Sequence, residues 1–259
     1  MKLSVLDLAF GYPGKRVGAG VSLALDAGEV MCLLGPNGGG KTTLFKTILG
    51  LIPAQGGEVR YGDAPLARMA RAAVARVAGY VPQAHTGYFP FSVFDVVLMG
   101  RAAHLGPFAS PGKRDREIAR QALATIGIER LADSVYTRIS GGERQMALIA
   151  RALAQEPRIL VMDEPTASLD FGNQVRVLER IRLLARAGLA IVLSTHDPDQ
   201  AFLVADRVAM LHQGTLVRLG PPAETITPES LKLVYGVDIA VVEIAAGGGK
   251  RRVCVPSLG

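Results

Sequence analysis

The segment that most constrains the fold is a glycine-rich turn between an apolar strand and a helix. Val30–Leu34 is apolar throughout, which predicts a strand buried on both faces of a sheet. Lys41–Leu49 has helical composition and ends at Gly50. The turn between them, Gly35-Pro36-Asn37-Gly38-Gly39-Gly40-Lys41-Thr42, fits the pattern G-x-x-x-x-G-K-[ST]. In this strand–turn–helix setting the pattern predicts a loop that binds nucleotide phosphates.

The chemistry of this phosphate loop follows from its residue types. Glycines let successive backbone N–H groups point inward around a phosphate, and the N-terminus of the following helix adds a positive partial charge. We expect Lys41 to reach the β- and γ-phosphates and the Thr42 hydroxyl to bind Mg²⁺. The predicted nucleotide-binding residues of the segment are Gly35, Pro36, Asn37, Gly38, Gly39, Gly40, Lys41, Thr42 and Thr43.

A pair of acidic residues follows a second apolar strand. Ile159–Met162 predicts another buried strand, and Asp163 and Glu164 come directly after it. Two carboxylates at the end of a buried strand are costly unless they serve a metal ion or the activation of water. We therefore expect Asp163 to hold the cation and Glu164 to act as the general base that polarises the attacking water.

Strands and helices alternate along the rest of the chain, which predicts an α/β fold with a largely parallel sheet. The length of 259 residues suits one domain, 1–259, in which the mostly helical stretch 84–157 is an inserted subdomain and 221–259 is a short C-terminal extension. Other predicted strands are Leu3–Phe10, Val21–Leu25, Glu58–Tyr61, Gly79–Val81, Ala190–Ser194 and Val208–Leu211, with a hairpin over Val241–Val255 that turns at Gly247-Gly248-Gly249.

Composition narrows the classes of function. The 30 glycines follow no three-residue period, which excludes a collagen helix. Cys32 and Cys254 show no ligand spacing, so neither a zinc site nor a disulfide framework is predicted and a reducing compartment fits. We find no secretory-signal pattern, and no apolar run approaches the ~20 residues of a membrane helix. The net charge of +6 allows several anionic partners and selects none.

A third motif, which contains two glycines, points to a family. Ser140-Gly141-Gly142-Glu143 predicts a helix start, with Ser140 as N-cap and Glu143 as its capping-box partner. Together with the phosphate loop and the acidic pair, it resembles the L-S-G-G-Q/E signature of ATP-binding-cassette (ABC) ATPases. The resemblance implies an ATP- and Mg²⁺-dependent ATPase whose RecA-like α/β core carries an antiparallel β subdomain and an inserted helical subdomain. It also implies that Ser140, Gly141, Gly142 and Glu143 bind nucleotide.

The other motifs of the family occur in the expected order. Tyr12 stands where cassettes carry an aromatic residue that stacks on adenine, and Gln83 matches the glutamine that contacts the metal and the attacking water. Ser168 and Asp170 match a loop that contacts the opposite subunit, and His196 matches the histidine at the γ-phosphate. By this resemblance the catalytic residues are Glu164, His196 and Gln83, and the metal ligands are Thr42, Gln83 and Asp163.

Two positions depart from the family pattern. Ile139 replaces the signature leucine, which is a conservative change. Gly39 stands where alanine or serine is commoner, at a backbone-entropy cost of roughly 0.5–1 kcal/mol relative to alanine. We predict that Gly39→Ala keeps ATPase activity and modestly raises stability, provided that its φ is negative. The histidines His85, His104 and His212 match no motif.

The resemblance also implies an assembly. Cassettes work as head-to-tail dimers that hold ATP between the phosphate loop of one subunit and the signature of the other. This chain carries each motif once, so we expect a C₂ homodimer. A groove beside Gln83, lined by residues 84–99, would receive a helix of a polytopic membrane permease at the cytoplasmic face of the inner (plasma) membrane. A periplasmic or surface substrate-binding protein would act indirectly, and no nucleic acid partner is expected.

A narrower resemblance rests on Val96–Arg101, Leu169–Gln174 and Ser230–Val237. These segments are similar to the cassettes of type II importers for iron–siderophore complexes, haem and cobalamin, so metal-chelate import is expected. Val96–Arg101 also suits an ordinary amphipathic helix that ends at Gly100. The alternatives are a cassette of another importer class or of an exporter, and a non-transport ATPase of DNA repair or translation. The helical insert has no sustained heptads, which disfavours the DNA-repair reading.

Overall fold

The strand Val30–Leu34 is fully buried, as its apolar sequence predicts, and it lies inside a six-stranded sheet. The structure is a computed structural model that describes residues 2–83, 89–106, 108–246 and 249–257. Its strands are β1 (Leu3–Tyr12), β2 (Lys15–Leu25), β3 (Val30–Leu34), β4 (Gly56–Tyr61), β5 (Ala64–Pro65), β6 (Ala78–Val81), β7 (Ile159–Met162), β8 (Ala190–Thr195), β9 (Arg207–His212), β10 (Thr215–Gly220), β11 (Ile239–Ala246) and β12 (Gly249–Pro256). Its α-helices are α1 (Lys41–Ile48), α2 (Arg71–Val77), α3 (Val93–Leu98), α4 (Lys113–Ile126), α5 (Gly141–Leu153), α6 (Phe171–Arg186), α7 (Pro198–Val204), α8 (Pro222–Thr225) and α9 (Pro228–Tyr235).

The central sheet places the predicted motifs at one edge. Its strand order is β10-β9-β3-β8-β7-β6, and every neighbouring pair from β9 to β6 is parallel. The carboxyl ends of β3, β7 and β8 therefore meet, and this is where open α/β sheets bind ligands. The phosphate loop, the acidic pair and His196 directly follow or lie just beyond these three ends.

The side chains of β3 point alternately to the two faces of the sheet, and the core has one layer on each face. Cys32 belongs to the cluster that packs against the helical insert and α6, whereas Met31 and Leu33 face a second cluster. That second cluster includes Phe45 of α1 and Phe10 of the antiparallel sheet, whose strand order is β2-β1-β4-β5. Successive side chains of a strand point to opposite faces, so one apolar strand serves both layers.

A buried arginine ties together parts of the helical insert near the point where it leads into β7. Arg101 is 4% exposed, and its guanidinium contacts Asp115 Oδ1 at 3.0 Å, the carbonyl oxygen of Ala154 at 2.7 Å and Glu156 Oε2 at 2.8 Å. A Cβ at the preceding residue, Gly100, would lie 2.1 Å from the carbonyl oxygen of Arg151. The segment Val96–Arg101, which carried the narrower resemblance, thus has a structural role within the insert.

The predicted fold class is confirmed: a parallel α/β core carries an antiparallel sheet and helical elements. Element ends differ, since β1 and β2 pair over a longer hairpin than the apolar pattern indicated. The sequence analysis missed β5, β10 and α7–α9. The expected C-terminal hairpin is present, although Gly247 and Gly248 of its turn lie outside the described residues. Within the described ranges no helix combines the length and apolarity that crossing a bilayer requires.

Candidate functional site

The phosphate loop joins the carboxyl end of β3 to the N-terminus of α1. Gly40 is the N-cap of α1 with a φ of 99°, a left-handed value that favours glycine, and no described side chain caps the helix. Lys41 is 4% exposed, and its Nζ donates to the carbonyl oxygens of Gly35 (2.8 Å) and Pro36 (3.0 Å). The uncapped backbone N–H groups at this helix start can therefore receive an anion.

Three of the predicted residues converge on the carboxylate of Glu164. Lys41 Nζ lies 3.2 Å from Glu164 Oε1, and Gln83 Nε2 donates to Glu164 Oε2 at 3.1 Å. His196 Nδ1 lies 3.2 Å from the same Oε2. Glu164 is 6% exposed and has a φ of 46°, an uncommon conformation for a residue with a side chain. A strained, buried carboxylate among a lysine, an amide and a histidine is a candidate catalytic group.

Ser194 links both acidic residues, and the sequence analysis did not select it. Its Oγ donates to Asp163 Oδ1 at 2.7 Å and accepts from the backbone N–H of Glu164 at 2.9 Å. Asp163 itself is 1% exposed. The sequence did hold a signal for Ser194, because its hydroxyl directly follows the apolar run Ala190–Leu193. A polar group buried at the end of such a strand needs a hydrogen-bond partner.

Gln200 is a second residue that the sequence analysis missed. It is buried, and its Oε1 accepts hydrogen bonds from Thr166 Oγ1 (2.6 Å) and Thr195 Oγ1 (3.2 Å). The first of these residues lies just after Glu164 and the second just before His196. Gln200 therefore ties the turn that carries the carboxylate to the segment that carries the histidine.

A polar cavity of about 340 Å³ lies where these groups meet. Its lining includes one predicted residue from each of five motifs: Asn37, Gln83, Glu164, Ser168 and His196. Of the described residues that line it, none belongs to the segment Ser140–Glu143. One chain thus brings together the phosphate loop, the carboxylate, the glutamine and the histidine, and it leaves the signature segment outside.

The signature segment starts α5 with the predicted capping box. Ser140 Oγ accepts from the Glu143 N–H (3.3 Å) and donates to Glu143 Oε2 (2.9 Å), which also accepts from the Ser140 N–H (3.0 Å). Arg130 Nη2 donates to Glu143 Oε1 at 2.7 Å. The Ser140 N–H and, next, Arg130 lower the pKa of Glu143. Position 142 must be glycine, because a Cβ there would lie 2.4 Å from the side chain of Asn173.

The loop after Glu164 leads into a capped helix. Ser168 has a φ of 64° and lines the polar cavity, whereas Asp170 is the N-cap of α6. Asp170 Oδ1 accepts from the N–H of Asn173 at 2.8 Å, and this bond is the main cause that lowers the pKa of Asp170. Gln174 Nε2 donates to the carbonyl oxygen of Leu169 at 3.1 Å and so fixes the loop between the two predicted residues.

Tyr12 ends β1 with its side chain 40% exposed. Two residues earlier on the same strand, the ring of Phe10 lies beside Gly40, so that a Cβ on that glycine would be 3.3 Å from Phe10 Cε2. An accessible aromatic ring therefore stands on the strand that borders the phosphate loop.

Comparisons with known proteins identify the family. A sequence model described as "ABC transporter" matches residues 19–167. An uncharacterized ABC transporter ATP-binding protein of Haemophilus influenzae is 43% identical over 91% of this chain and 89% of its own length. The hemin import ATP-binding protein HmuV of Gloeobacter violaceus is 41% identical over 88% and 89%, and HmuV of Thermobifida fusca is 40% identical over 93% and 84%.

A solved structure supports the same assignment. A chain described as belonging to a metal-chelate type ABC transporter in an inward-facing conformation superimposes with a TM-score of 0.89 at 31% identity, covering 99% of this chain and 97% of that one. Both the sequence match and the fold extend over most of the molecule. The chain therefore belongs to the ABC transporter family, as an ATP-binding, ATP-hydrolysing cassette.

Proposed function

We propose that this cassette powers import of a metal chelate through a membrane permease, by hydrolysing ATP in a head-to-tail homodimer. The observation that carries the catalytic part is the convergence of Lys41, Gln83 and His196 on Glu164. Relatives named for hemin import and a neighbour described as metal-chelate type support the class of cargo. Iron–siderophore complexes, haem and cobalamin are the candidates.

In this mechanism Glu164 is the general base. Phosphoryl transfer depends mainly on positioning and charge stabilisation, and the lysine of the phosphate loop neutralises charge on the β- and γ-phosphates. Lys41 is paired with Glu164, so phosphates that engage Lys41 free the carboxylate to accept a hydrogen bond from water. His196 and Gln83, which both contact Glu164 Oε2, orient it toward that water. Tyr12 stacks on the adenine.

The predicted metal ligands fit Mg²⁺. This ion prefers oxygen ligands and usually combines one or two protein carboxylates with substrate phosphates and waters. Asp163 offers a buried carboxylate, Thr42 a hydroxyl beside Lys41, and Gln83 the oxygen of an amide whose nitrogen is engaged by Glu164. When bound, Mg²⁺ supplies positive charge for the phosphates of ATP.

The homodimer completes each site. The signature segment lies outside the polar cavity of its own chain, so we assign it to the ATP bound by the partner subunit. Ser140, Gly141, Gly142 and Glu143 would then face the γ-phosphate across the interface. Ser168 and Asp170, which lie at and beyond the edge of the cavity, would contact the partner.

The permease would dock at an apolar cavity of about 860 Å³. The cavity is lined by the segment after α1, by α2 and by Tyr80, which lies on β6 three residues before Gln83. This lining differs from the expected groove: the described residues of 84–99 contribute nothing to it, and 84–88 lie outside the described residues. An amphipathic permease helix that binds there would contact Tyr80, and its movement could pass along β6 to the catalytic residue Gln83.

The test uses the cassette copurified with its permease and reconstituted in proteoliposomes with the substrate-binding protein. Haemin, a ferric siderophore and cyanocobalamin are supplied one at a time, and phosphate release is measured. We expect one chelate to stimulate ATPase several-fold and to accumulate inside the vesicles, and Glu164→Gln to abolish both. Stimulation by a non-chelate solute would overturn the proposed cargo, and recovery of the chain on nucleic acid without a membrane partner would overturn the transport role.

A further inference from the structure

The C-terminal extension contacts the segment that carries His196. Tyr235 is the last residue of α9, and its Oη donates to the backbone carbonyl oxygen of His196 at 2.9 Å. The two residues are separated by 39 positions in the chain, so this contact exists only in the folded structure. It places a tyrosine hydroxyl on the peptide of a proposed catalytic residue.

A second contact reaches the same segment from the hairpin. The backbone N–H of Cys254 on β12 donates to Asp199 Oδ1 at 2.8 Å. The Asp199 N–H donates to Asp197 Oδ1 at 2.9 Å, and the Asp197 N–H donates to Thr195 Oγ1 at 3.1 Å. These hydrogen bonds run from β12 to the end of β8 and bracket His196.

The side chain of His196 depends on this backbone for its position. It is 50% exposed, and its Nδ1 contact with Glu164 Oε2 is long at 3.2 Å. Burial, and to a smaller degree nearby acidic groups such as Asp197, raises the pKa of Tyr235. The phenol therefore stays protonated and can donate at neutral pH.

We propose that Tyr235 is a positioning residue for ATP hydrolysis, which together with β12 fixes the backbone of residues 195–199 so that His196 faces Glu164. This inference rests on the proposed role of His196 at the γ-phosphate. A catalytic group must be held within a few tenths of an ångström of its working geometry, and anchors from outside the site can provide this.

The first test is Tyr235→Phe in the full chain, which removes Oη and keeps the ring. We expect kcat for ATP to fall about 3- to 10-fold, the range that corresponds to one hydrogen bond, with KM for ATP within about twofold. Tyr61→Phe is the matched control, because Tyr61 Oη donates to the carbonyl oxygen of Ile48 at 2.9 Å in the core of the other layer. That variant should lower Tm without changing kcat.

The second test asks whether Tyr235 acts through His196. In single-turnover phosphate release, Tyr235→Phe should lower the rate in the wild-type background and cause no further loss in the His196→Ala background. Independently of any rate, Tyr235→Phe should speed hydrogen–deuterium exchange in peptides that cover residues 195–201, and Tyr61→Phe should not. Asp199→Ala should lower kcat, and Asp199→Asn, which keeps an acceptor for the Cys254 N–H, should restore it.

The outcomes separate the two proposals. Unchanged kcat in Tyr235→Phe, an equal fractional loss in both backgrounds, or unchanged exchange over residues 195–201 would overturn the positioning role. A loss of kcat accompanied by a matching rise in KM and drop in Tm would mean that Tyr235 is only structural. A wild-type rate in His196→Ala would instead remove His196 from the proposed mechanism.

Discussion

Two helices of this molecule begin with glycine-rich segments, and their N-termini are built differently. α1 begins at Gly40 without a described side-chain cap, beside the buried Lys41. α5 begins at Ser140, where a capping box with Glu143 already satisfies N–H groups and adds negative charge. A helix N-terminus attracts anions through its free N–H groups and dipole.

The comparison suggests an order of events. α1 can receive phosphates as it stands, whereas α5 must rearrange its Ser140 hydroxyl, which donates to Glu143 Oε2, before that hydroxyl can donate to a phosphate. We therefore expect ATP to bind the phosphate loop of one chain first and to engage the signature of the partner second.

The largest effect is expected from Glu164→Gln, which keeps the size of the side chain next to α1 and removes its charge. The general base contributes about 10²- to 10⁴-fold, so hydrolysis should fall by at least about 100-fold. ATP binding should persist, because Lys41 loses its carboxylate partner and stays available to phosphates. Phosphate release measures the first effect, and ATP-dependent dimers on size-exclusion chromatography measure the second. A normal hydrolysis rate would show that Glu164 is not the base.

A mixing experiment separates the two helix starts. Lys41→Ala disables the phosphate loop and Ser140→Arg places a bulky cation at the signature, so each homodimer should lose most of its ATPase activity. In a 1:1 mixture about half of the dimers are mixed, and each of these carries one intact composite site, so about a quarter of the wild-type rate should return. Absence of recovery, with mixed dimers verified by two affinity tags, would mean that both helix starts act within one chain.

The strand, turn and helix that form the α1 side of the candidate site could be predicted from the sequence because their determinants are local. Val30–Leu34, the loop and the start of α1 are contiguous, so pattern and spacing define them. Arg101, Ser194 and Gln200 escaped prediction as functional or structural anchors because their partners lie 5 to 55 positions away. Such roles depend on which elements pack together.

The same distinction explains the errors in the fold. The apolar run Val21–Leu25 predicted only the buried half of β2, whereas pairing with β1 continues to Lys15, which lies opposite Tyr12. Backbone pairing with a neighbouring strand extends an element beyond the residues whose side chains are buried. The register of β1 and β2 therefore could not be derived from hydrophobic alternation alone.

A smaller effect is expected at the capping box of α5. Glu143→Gln keeps a capping side chain and removes the charge that interacts with Arg130 and the helix N-terminus, so the free energy of unfolding at pH 7 should fall by a few tenths of a kcal/mol to about 1 kcal/mol. The pKa of Glu143 is lowered in the folded state, so its stabilisation is present above the ordinary pKa of glutamate and disappears as pH falls through the lowered value.

Denaturant titration of the wild type and Glu143→Gln from pH 7 to pH 3 measures this difference. The two free energies of unfolding should converge at low pH. Glu129→Gln, at an exposed glutamate of the same subdomain, is the control and should follow the wild type more closely at pH 7. A gap that persists unchanged at low pH would show that the charge of Glu143 does not stabilise α5.

The smallest effect is expected at Gly39, inside the phosphate loop. Its φ lies outside the left-handed region, so alanine is permitted there and should lower the entropy of the unfolded chain. A Cβ would, however, stand 3.1 Å from the carbonyl oxygen of Pro36, which accepts from the Gly39 N–H at 3.2 Å and from Lys41 Nζ at 3.0 Å. The entropic gain of about 0.4–1 kcal/mol is thus largely offset by crowding of an oxygen that already has two donors.

We therefore expect Gly39→Ala to shift Tm by no more than about 2 °C and to keep kcat within about twofold. Gly40→Ala is the matched comparison, because its φ of 99° and a Cβ 3.0 Å from Val17 Cγ1 impose strain at the N-cap of α1. That variant should lose both stability and ATP affinity. Equal losses in the two variants would contradict this difference. They would show that the phosphate loop requires glycine at position 39 as well as at the N-cap of α1, although the φ of Gly39 permits alanine.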